Sequence, residues 1–325
     1  MRTRRLGTAG PEVGALGLGS SGMSDSGASE HGDRESIATI QAALDAGVSL
    51  LNTADFYGMG HSELLIGEAI RGRRDQAFIS VKFGGMRDPG GAFTGFDMRP
   101  VAVRNFIGYS LRRLRTDYID LYQPARVDPA VPIEETVGAI ADLVTAGYVR
   151  HIGLSEAGPG SLRRANAVHP VAAVEVEYSL MGRDIENNVL PAARELGLGV
   201  VAYSVLSGGI LAGRTQTRQP GASRNAPGAI EQNMRLAERF REQARARDLT
   251  PTQLAFAWVL AKGEQIVPLV GARSRERLAE ALGALDVTLT PADLAQIEDA
   301  MPPDAVAGSL YSGFVLQMIE QERSR

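Results

Sequence analysis

Tyr57 lies at the end of LLNTADFYG, an apolar run that stops at a polar turn, and Lys82 lies near the end of a second run, AFISVKF. A lysine flanked by Ile79, Val81 and Phe83 is partly desolvated, and a lysine in that setting is either paired or used. An ammonium beside a phenol stabilises the phenolate, which turns a weak acid into a usable proton donor or acceptor. Either residue alone would more simply pack a loop or end a strand; at the ends of neighbouring strands they make a proton-transfer pair. Asn52 precedes the tyrosine by five residues. Its amide can accept a hydrogen bond from the lysine but cannot neutralise it. The other polar residues at the ends of apolar runs are Ser20, Ser21, Gln123, Ser155, Glu175, Glu177 and Tyr203.

These residues need elements to hold them. Eight apolar runs read as strands: 15–19, 48–54, 77–83, 118–123, 149–155, 171–178, 199–206 and 266–271. Amphipathic stretches such as RESIATIQAALDAG and IEETVGAIADLVTAG lie between them, several closed by a glycine, as a helix C-terminus prefers. Eight buried strands joined by helical crossovers predict an α/β fold, a (β/α)8 TIM barrel, with its chemistry at the strands' C-terminal ends. An N-terminal hairpin is expected over RRLGTAGPEVGAL, turning at Gly7, Gly10 and Pro11, and a C-terminal tail from Pro302 is expected over the catalytic face. The whole chain, 1–325, reads as one domain. Residues 214–230 are rich in Arg, Gly, Pro and Ser directly after the seventh strand, which predicts a mobile loop over the catalytic face.

The bulk composition narrows the function classes. With 44% hydrophobic residues over 325 and a formal net charge of -4, the chain offers a large core and no basic excess for nucleic acid or a membrane surface. The absence of cysteine excludes disulfides, zinc-thiolate sites, iron–sulfur clusters and a thiol nucleophile. No run approaches a membrane span and the start does not read as a signal peptide, so the expected compartment is the cytoplasm. The expected partner is a small molecule, with no nucleic acid, no membrane, and a monomer or weak homo-oligomer.

The runs LGLGSSGMS, NTADFYGMGHSE, ISVKFG, YIDLYQ, GLSE, VEVEYS, VAYS, VGARSRERLAE and DAVAGSLYS, in that order, resemble the aldo-keto reductases over nearly the whole chain. The resemblance implies an NADPH-dependent carbonyl reductase in which Tyr57 protonates the carbonyl oxygen and Lys82 assists. The family usually has an aspartate at the position of Asn52 and a histidine at that of Ala125. With Asn52 the ammonium would be less compensated, and Tyr57 is expected to be more acidic than beside an aspartate. The run PARVDPAVPIE, with GLSE and VHPVAAVEVEYSL, looks like the pyridoxal reductase subgroup. An electron-poor aldehyde of that kind needs less acid assistance, which suits a site without the histidine.

By the same resemblance Ser155, Glu156 and Glu175 meet the nicotinamide carboxamide, although the family usually carries Asn and Gln at the last two positions. Tyr203 stacks on the nicotinamide, and Ser204, Leu206, Ser207, Gly209 and Leu211 form the pyrophosphate loop. Gly19, Ser20 and Ser21 line the first strand's end, and Gly271, Arg273, Ser274, Arg277 and Glu280 hold the adenosine end. Two arginines at a helix start suit a 2′-phosphate, so NADPH is expected over NADH. Phe56, Phe83, Ala125 and Arg126 are expected in the substrate wall, with Arg126 free to meet an anionic group. Two other functions compete: a non-catalytic NADPH-binding redox sensor or subunit, and an alcohol dehydrogenase in which a more acidic Tyr57 works as base.

Several patterns have a plainer reading. Residues 17–22 satisfy GxGxxG, but a polar, glycine-rich stretch follows where a dinucleotide fold needs a helix. Glu175 and Glu177 share one face of a strand, whereas paired glycosidase carboxylates straddle a bond from different strands. His61-Ser62-Glu63 lacks further ligands at metal spacing and marks a loop entering a helix, so no metal is expected. His31, His151 and His169 have no evident partners, Trp258 reads as core, and Asp55 reads as a surface or turn residue.

Overall fold

The computed structural model describes residues 1–24, 30–214, 222–311 and 313–324, with the side chains of residues 30 and 31 outside that description. Among the described residues there are twelve strands: β1 (Thr3–Arg5), β2 (Glu12–Gly14), β3 (Gly17–Gly19), β4 (Leu50–Ala54), β5 (Phe78–Phe83), β6 (Gly85–Arg87), β7 (Phe93–Phe96), β8 (Ile119–Pro124), β9 (Val149–Ser155), β10 (Val171–Glu177), β11 (Gly199–Tyr203) and β12 (Ile266–Val270). Eight of them close a barrel in the order β10-β11-β12-β3-β4-β5-β8-β9, each pair parallel. These are the eight expected strands, and the (β/α)8 barrel follows from them.

Strand alternation sorts the side chains by height. Leu50, Leu121, Ala173, Val201, Val267 and Leu269 form one apolar cluster inside the barrel, joined by Leu6 and Val13 of the N-terminal hairpin. The hairpin pairs β1 with β2 and closes the barrel's N-terminal end, where Arg4 donates to the carbonyls of Leu260, Gly263 and Ile266. Two residues further along the same strands the interior turns polar: the register sets Asn52 beside Ser80 and Lys82 beside Gln123. Gly153 on β9 leaves room for this layer, since a Cβ there would lie 2.8 Å from Gln123 Oε1 and push that side chain aside. The barrel is thus a packed core with a polar floor at its C-terminal mouth.

The crossover helices carry the sequence signals expected of them. Thr250 and Thr290 cap Pro251–Ala261 and Pro291–Ala300, each with a reciprocal bond from the third helical residue and a proline in the first turn. Gly197 ends Val189–Leu196 in the left-handed conformation. A second hairpin, β6 with β7, rises beside the mouth and was not expected from the sequence. The tail crosses the mouth and ends in the helix Gly313–Arg323. Among the described residues no helix is long and apolar enough to cross a membrane.

Candidate active site

Lys82 Nζ donates to Asn52 Oδ1 at 2.7 Å and to Glu175 Oε1 at 2.8 Å. Asn52 Nδ2 in turn donates to Glu175 Oε2 at 2.7 Å, so the three side chains close a ring. Gln123 Nε2 reaches the same Oε2 at 2.5 Å, and Ser80 Oγ accepts from both amides. All five ring and flanking residues are buried. Burial alone would push Lys82 to lose its proton; the charge of Glu175 and the bonds to Glu175 and Tyr57 outweigh it, so Lys82 titrates above an ordinary lysine. Lys82 Nζ lies 5.4 Å from the centroid of the Tyr57 ring. The expectation of an under-compensated ammonium is therefore corrected: Asn52 does accept from Lys82, but Glu175 supplies the negative charge.

Tyr57 opens a short turn, Tyr57–Gly60, where Gly58 and Met59 both take left-handed backbone angles. Phe56 packs edge-on against the Tyr57 ring at 5.2 Å. Asp55 is not at the surface, as the sequence suggested, but buried at 6% exposure, and its Oδ1 has no partner. Burial, followed by the nearby Glu63 carboxylate, pushes the Asp55 carboxyl up to about 8. Glu63 is itself fully buried and bound to Arg113 at 2.8 Å. His61-Ser62-Glu63 thus divides its work: His61 meets Asp33, Ser62 bonds Ser20 and Thr53, and Glu63 pairs with Arg113.

A cavity of about 700 Å³ runs from this floor across the mouth. Its inner end is lined by Tyr57, Lys82, Asn52, Glu175, Ser155 and Tyr203. Ser155 Oγ is buried there without a partner, which leaves a donor and acceptor for a carboxamide. Further out the wall is backbone from Ser204 to Gly209, with Ser204 and Ser207 both at positive φ. Non-glycine residues held in that region store strain, a common trait of ligand-binding turns. The outer end is lined by Gly271, Arg273, Arg277, Glu280 and Arg214. Among the described residues no carboxylate lies within ion-pair distance of these three arginines. Arg214 is held below an ordinary arginine by burial and then by the charges of Arg277 and Arg273, a crowding of cations that an anion would relieve. An elongated dinucleotide with an extra phosphate fits this lining.

The rim is tied down by charges that the sequence did not reveal. Arg224 donates to Glu177 Oε1 at 2.8 Å and to the Met181 carbonyl at 2.7 Å. The described part of the 214–230 segment is thereby docked; residues 215–221 lie outside the described residues. Arg323, from the terminal helix, pairs with Glu156 Oε2 at 3.1 Å. Glu156 Oε1 accepts from the Tyr203 hydroxyl at 2.6 Å, and Tyr203 also bonds the Tyr311 hydroxyl of the tail. Arg126 lies with its guanidinium 5.0 Å from the Tyr311 ring centroid, and its Nε is buried without a partner.

Several sequence expectations change place. Glu156 does not line the cavity and serves Tyr203 and Arg323 instead; Glu175 lines it, but both its oxygens are engaged by Lys82, Asn52 and Gln123. Phe83 follows Lys82 directly, so alternation turns it outward, where it stacks on Tyr122 at 4.3 Å. Ala125 and Leu211 are buried behind the wall, Ser20 bonds the Asn52 carbonyl, and Ser274 caps the helix Arg275–Leu282. Gly19, Ser21, Phe56, Arg126, Tyr203, Ser204, Leu206, Ser207 and Gly209 do line it. Arg224, from the segment expected over the catalytic face, and Leu310 and Tyr311, from the tail expected there, line it too, and so does Arg87, which was not anticipated. Arg87 sits in the unexpected hairpin, whose turn at Asp88-Pro89-Gly90-Gly91 lies outside the eight-strand pattern.

Known proteins are similar to this chain in sequence and fold. A probable aldo-keto reductase of Glycine max is 40% identical over 315 residues, covering 94% of this chain and 91% of that protein. The structure of a glycerol dehydrogenase from Gluconobacter oxydans superposes with a TM-score of 0.83 at 28% identity, over 93% of this chain and 96% of the other. An aldo/keto reductase from Klebsiella pneumoniae, solved with NADP and acetate, gives a TM-score of 0.74 at 30% identity over 93% and 95%. The profile of the aldo/keto reductase family matches residues 15–301, a span that runs from the first barrel strand to the start of the tail and holds Asn52, Tyr57, Lys82 and Glu175. With that span matched and the proton-transfer pair at its barrel mouth, the chain belongs to the aldo/keto reductase family and is an NAD(P)H-dependent oxidoreductase.

Proposed function

We propose that the protein reduces a small aromatic aldehyde of the pyridoxal type to its alcohol, with NADPH as reductant. The observation that carries the reading is a cavity whose inner end presents Tyr57 beside a buried, charge-paired Lys82. When bound, NADPH supplies a hydride to the carbonyl carbon. Tyr57 gives its phenolic proton to the oxygen as charge builds there, and Lys82 stabilises the phenolate left behind. Ser155 and the Tyr203 ring face the space for the nicotinamide, while Arg273, Arg277 and Arg214 face that for the 2′-phosphate.

The substrate class rests on the wall between these ends. Phe56 and Tyr311 offer flat apolar faces, and Arg126 offers a guanidinium with an unpaired Nε. An aromatic ring carrying an ionised hydroxyl or another anionic group suits that combination. Ala125 supplies no second acid, and an electron-poor aldehyde needs less help. The carboxylate of Glu175 on Lys82 makes up the charge that Asn52 lacks, which favours catalysis over a sensor without chemistry. The oxidative direction uses the same groups in reverse and is separated by assay.

The test follows NADPH absorbance with a panel of aldehydes including pyridoxal, in wild type and Tyr57→Phe, and NADP+ with the matching alcohols. Turnover on pyridoxal that disappears in Tyr57→Phe while NADPH still binds is the expected result. Wild-type protein that binds NADPH tightly and turns over no aldehyde would sink the reading.

A further inference from the structure

We infer that Glu175 is the positioning residue that keeps Lys82 an ammonium against Tyr57, so that the counter-charge of the proton-donating pair comes from the opposite side of the barrel. In the closed strand order β10 and β4 have three strands between them on either side, so the two stand diametrically opposed. Lys82 and Asn52 stand on adjacent strands, and position 52 brings no charge. Glu175 reaches across the floor to fill that gap.

Three observations carry the assignment. Among the described residues Glu175 is the one carboxylate within ion-pair distance of Lys82, at 2.8 Å, with side-chain exposures of 6% for the lysine and 3% for the acid. So dry a lysine without its carboxylate would shed its proton and lose its hold on a phenolate. The carboxylate is also clamped from behind: Asn52 and Gln123 both donate to Oε2, which fixes Oε1 on the ammonium and leaves neither oxygen turned to a ligand. Finally, the room for the clamp is built in, since Gly153 clears the space that Gln123 occupies.

The inference rests on the reading of Tyr57 as proton donor. It predicts that the charge can be moved. Asparagine and aspartate have one shape and glutamine and glutamate another, so N52D/E175Q exchanges the charge between two ends of the same ring without changing its outline. An acid at position 52 would meet the same Nζ that now lies 2.7 Å from Asn52 Oδ1. The new amide at position 175 would present N–H to Gln123, whose Oε1 is buried and unpartnered and becomes its acceptor when that amide turns over.

The experiment compares wild type, E175Q, N52D/E175Q and Y57F by steady-state kinetics with NADPH and pyridoxal or nitrobenzaldehyde, together with NADPH titration and pH profiles. E175Q is expected to lose kcat by about a hundredfold or more, with NADPH affinity and KM within about threefold. Its alkaline limb moves to lower pH, because an ammonium without Glu175 both acts on the phenol unopposed and gives up its own proton sooner. N52D/E175Q is expected to regain kcat to within about tenfold of wild type and to return the limb. A double variant no better than E175Q, or one that does not fold, overturns the inference, and so does an E175Q that keeps kcat but binds NADPH more than about tenfold worse. Turnover retained in Y57F is a separate failure, that of the functional reading itself.

Discussion

The floor and the rim of one cavity each bury a carboxylate against a cation, and the two pairs are almost equally dry. Lys82 and Glu175 are 6% and 3% exposed at the floor, Arg224 and Glu177 are 5% and 7% exposed at the rim, and both contacts measure 2.8 Å. Burial therefore does not distinguish them. What differs is the backbone behind each pair. The floor residues all stand on barrel strands whose ladder fixes their spacing, whereas Arg224 belongs to a short turn after β11 and Arg323 to the terminal helix. The same interaction holds a reacting group in place at the floor and holds a cover in place at the rim. Covers can vary without disturbing the proton-transfer geometry, which is how a barrel changes substrate while keeping its reaction.

Matched variants separate the two. Lys82→Met leaves Glu175 buried without its cation and is expected to cost about 3–5 kcal/mol of stability and at least about a thousandfold in kcat. Arg224→Met leaves Glu177 in the same plight and is expected to cost a similar amount in stability, yet with kcat within about fivefold and the larger change in KM. Denaturant unfolding and steady-state kinetics on the two proteins decide it. An Arg224 variant that folds and loses kcat as deeply as the Lys82 variant would erase the distinction between floor and rim.

Asp55 sharpens the comparison from the other side, as a buried acid just outside the cavity with no ion pair of its own among the described residues. Burial and Glu63 raise its carboxyl from 3.8 to about 8, so between those values the folded protein holds a proton that the unfolded chain has released. Stability from this group is complete below 3.8 and is lost as pH rises to about 8, beyond which it falls no further. Asp55→Asn removes that slope. The variant is expected to gain on wild type with rising pH, by at least about 1 kcal/mol near pH 8, while Glu63 and Glu177, which burial also raises, keep their slopes in both proteins. Equal pH dependence in the two proteins would show that Asp55 is ionised in the fold.

How much of this was legible depended on distance along the chain. The eight barrel strands were legible because each is a local apolar run with a glycine or polar stop. The Tyr57–Lys82 pair was legible because two consecutive strands must be neighbours. Phe83 was misplaced beside Lys82 although alternation alone sends the two to opposite faces. The β6–β7 hairpin had a signal in Asp88-Pro89-Gly90-Gly91, a turn between short runs, which the eight-strand pattern obscured. Glu175 could not be assigned to Lys82, since 93 residues and closure of the barrel lie between them. The same holds for Arg323 and Glu156, separated by 167 residues and joined only when the tail crosses the mouth.

The outer end of the cavity carries the smallest expected effect and the sharpest contrast, because among the described residues its three arginines form no ion pair, with Glu280 only partly offsetting their charge. Arg214 is depressed by burial and then by the charges of Arg277 and Arg273, so these residues repel one another until an anion arrives. Arg277→Ala should then act with opposite signs in the two states. The free protein keeps or slightly raises its melting temperature, since a like charge has gone; with saturating NADPH the variant melts lower than wild type, since a phosphate contact has gone. Titration is expected to show NADPH bound about tenfold more weakly, about 1.4 kcal/mol, with NADH binding unchanged and a shallower dependence on salt. Equal weakening of NADPH and NADH would instead place Arg277 on a group the two share, and the arginines at this end would then not read the 2′-phosphate.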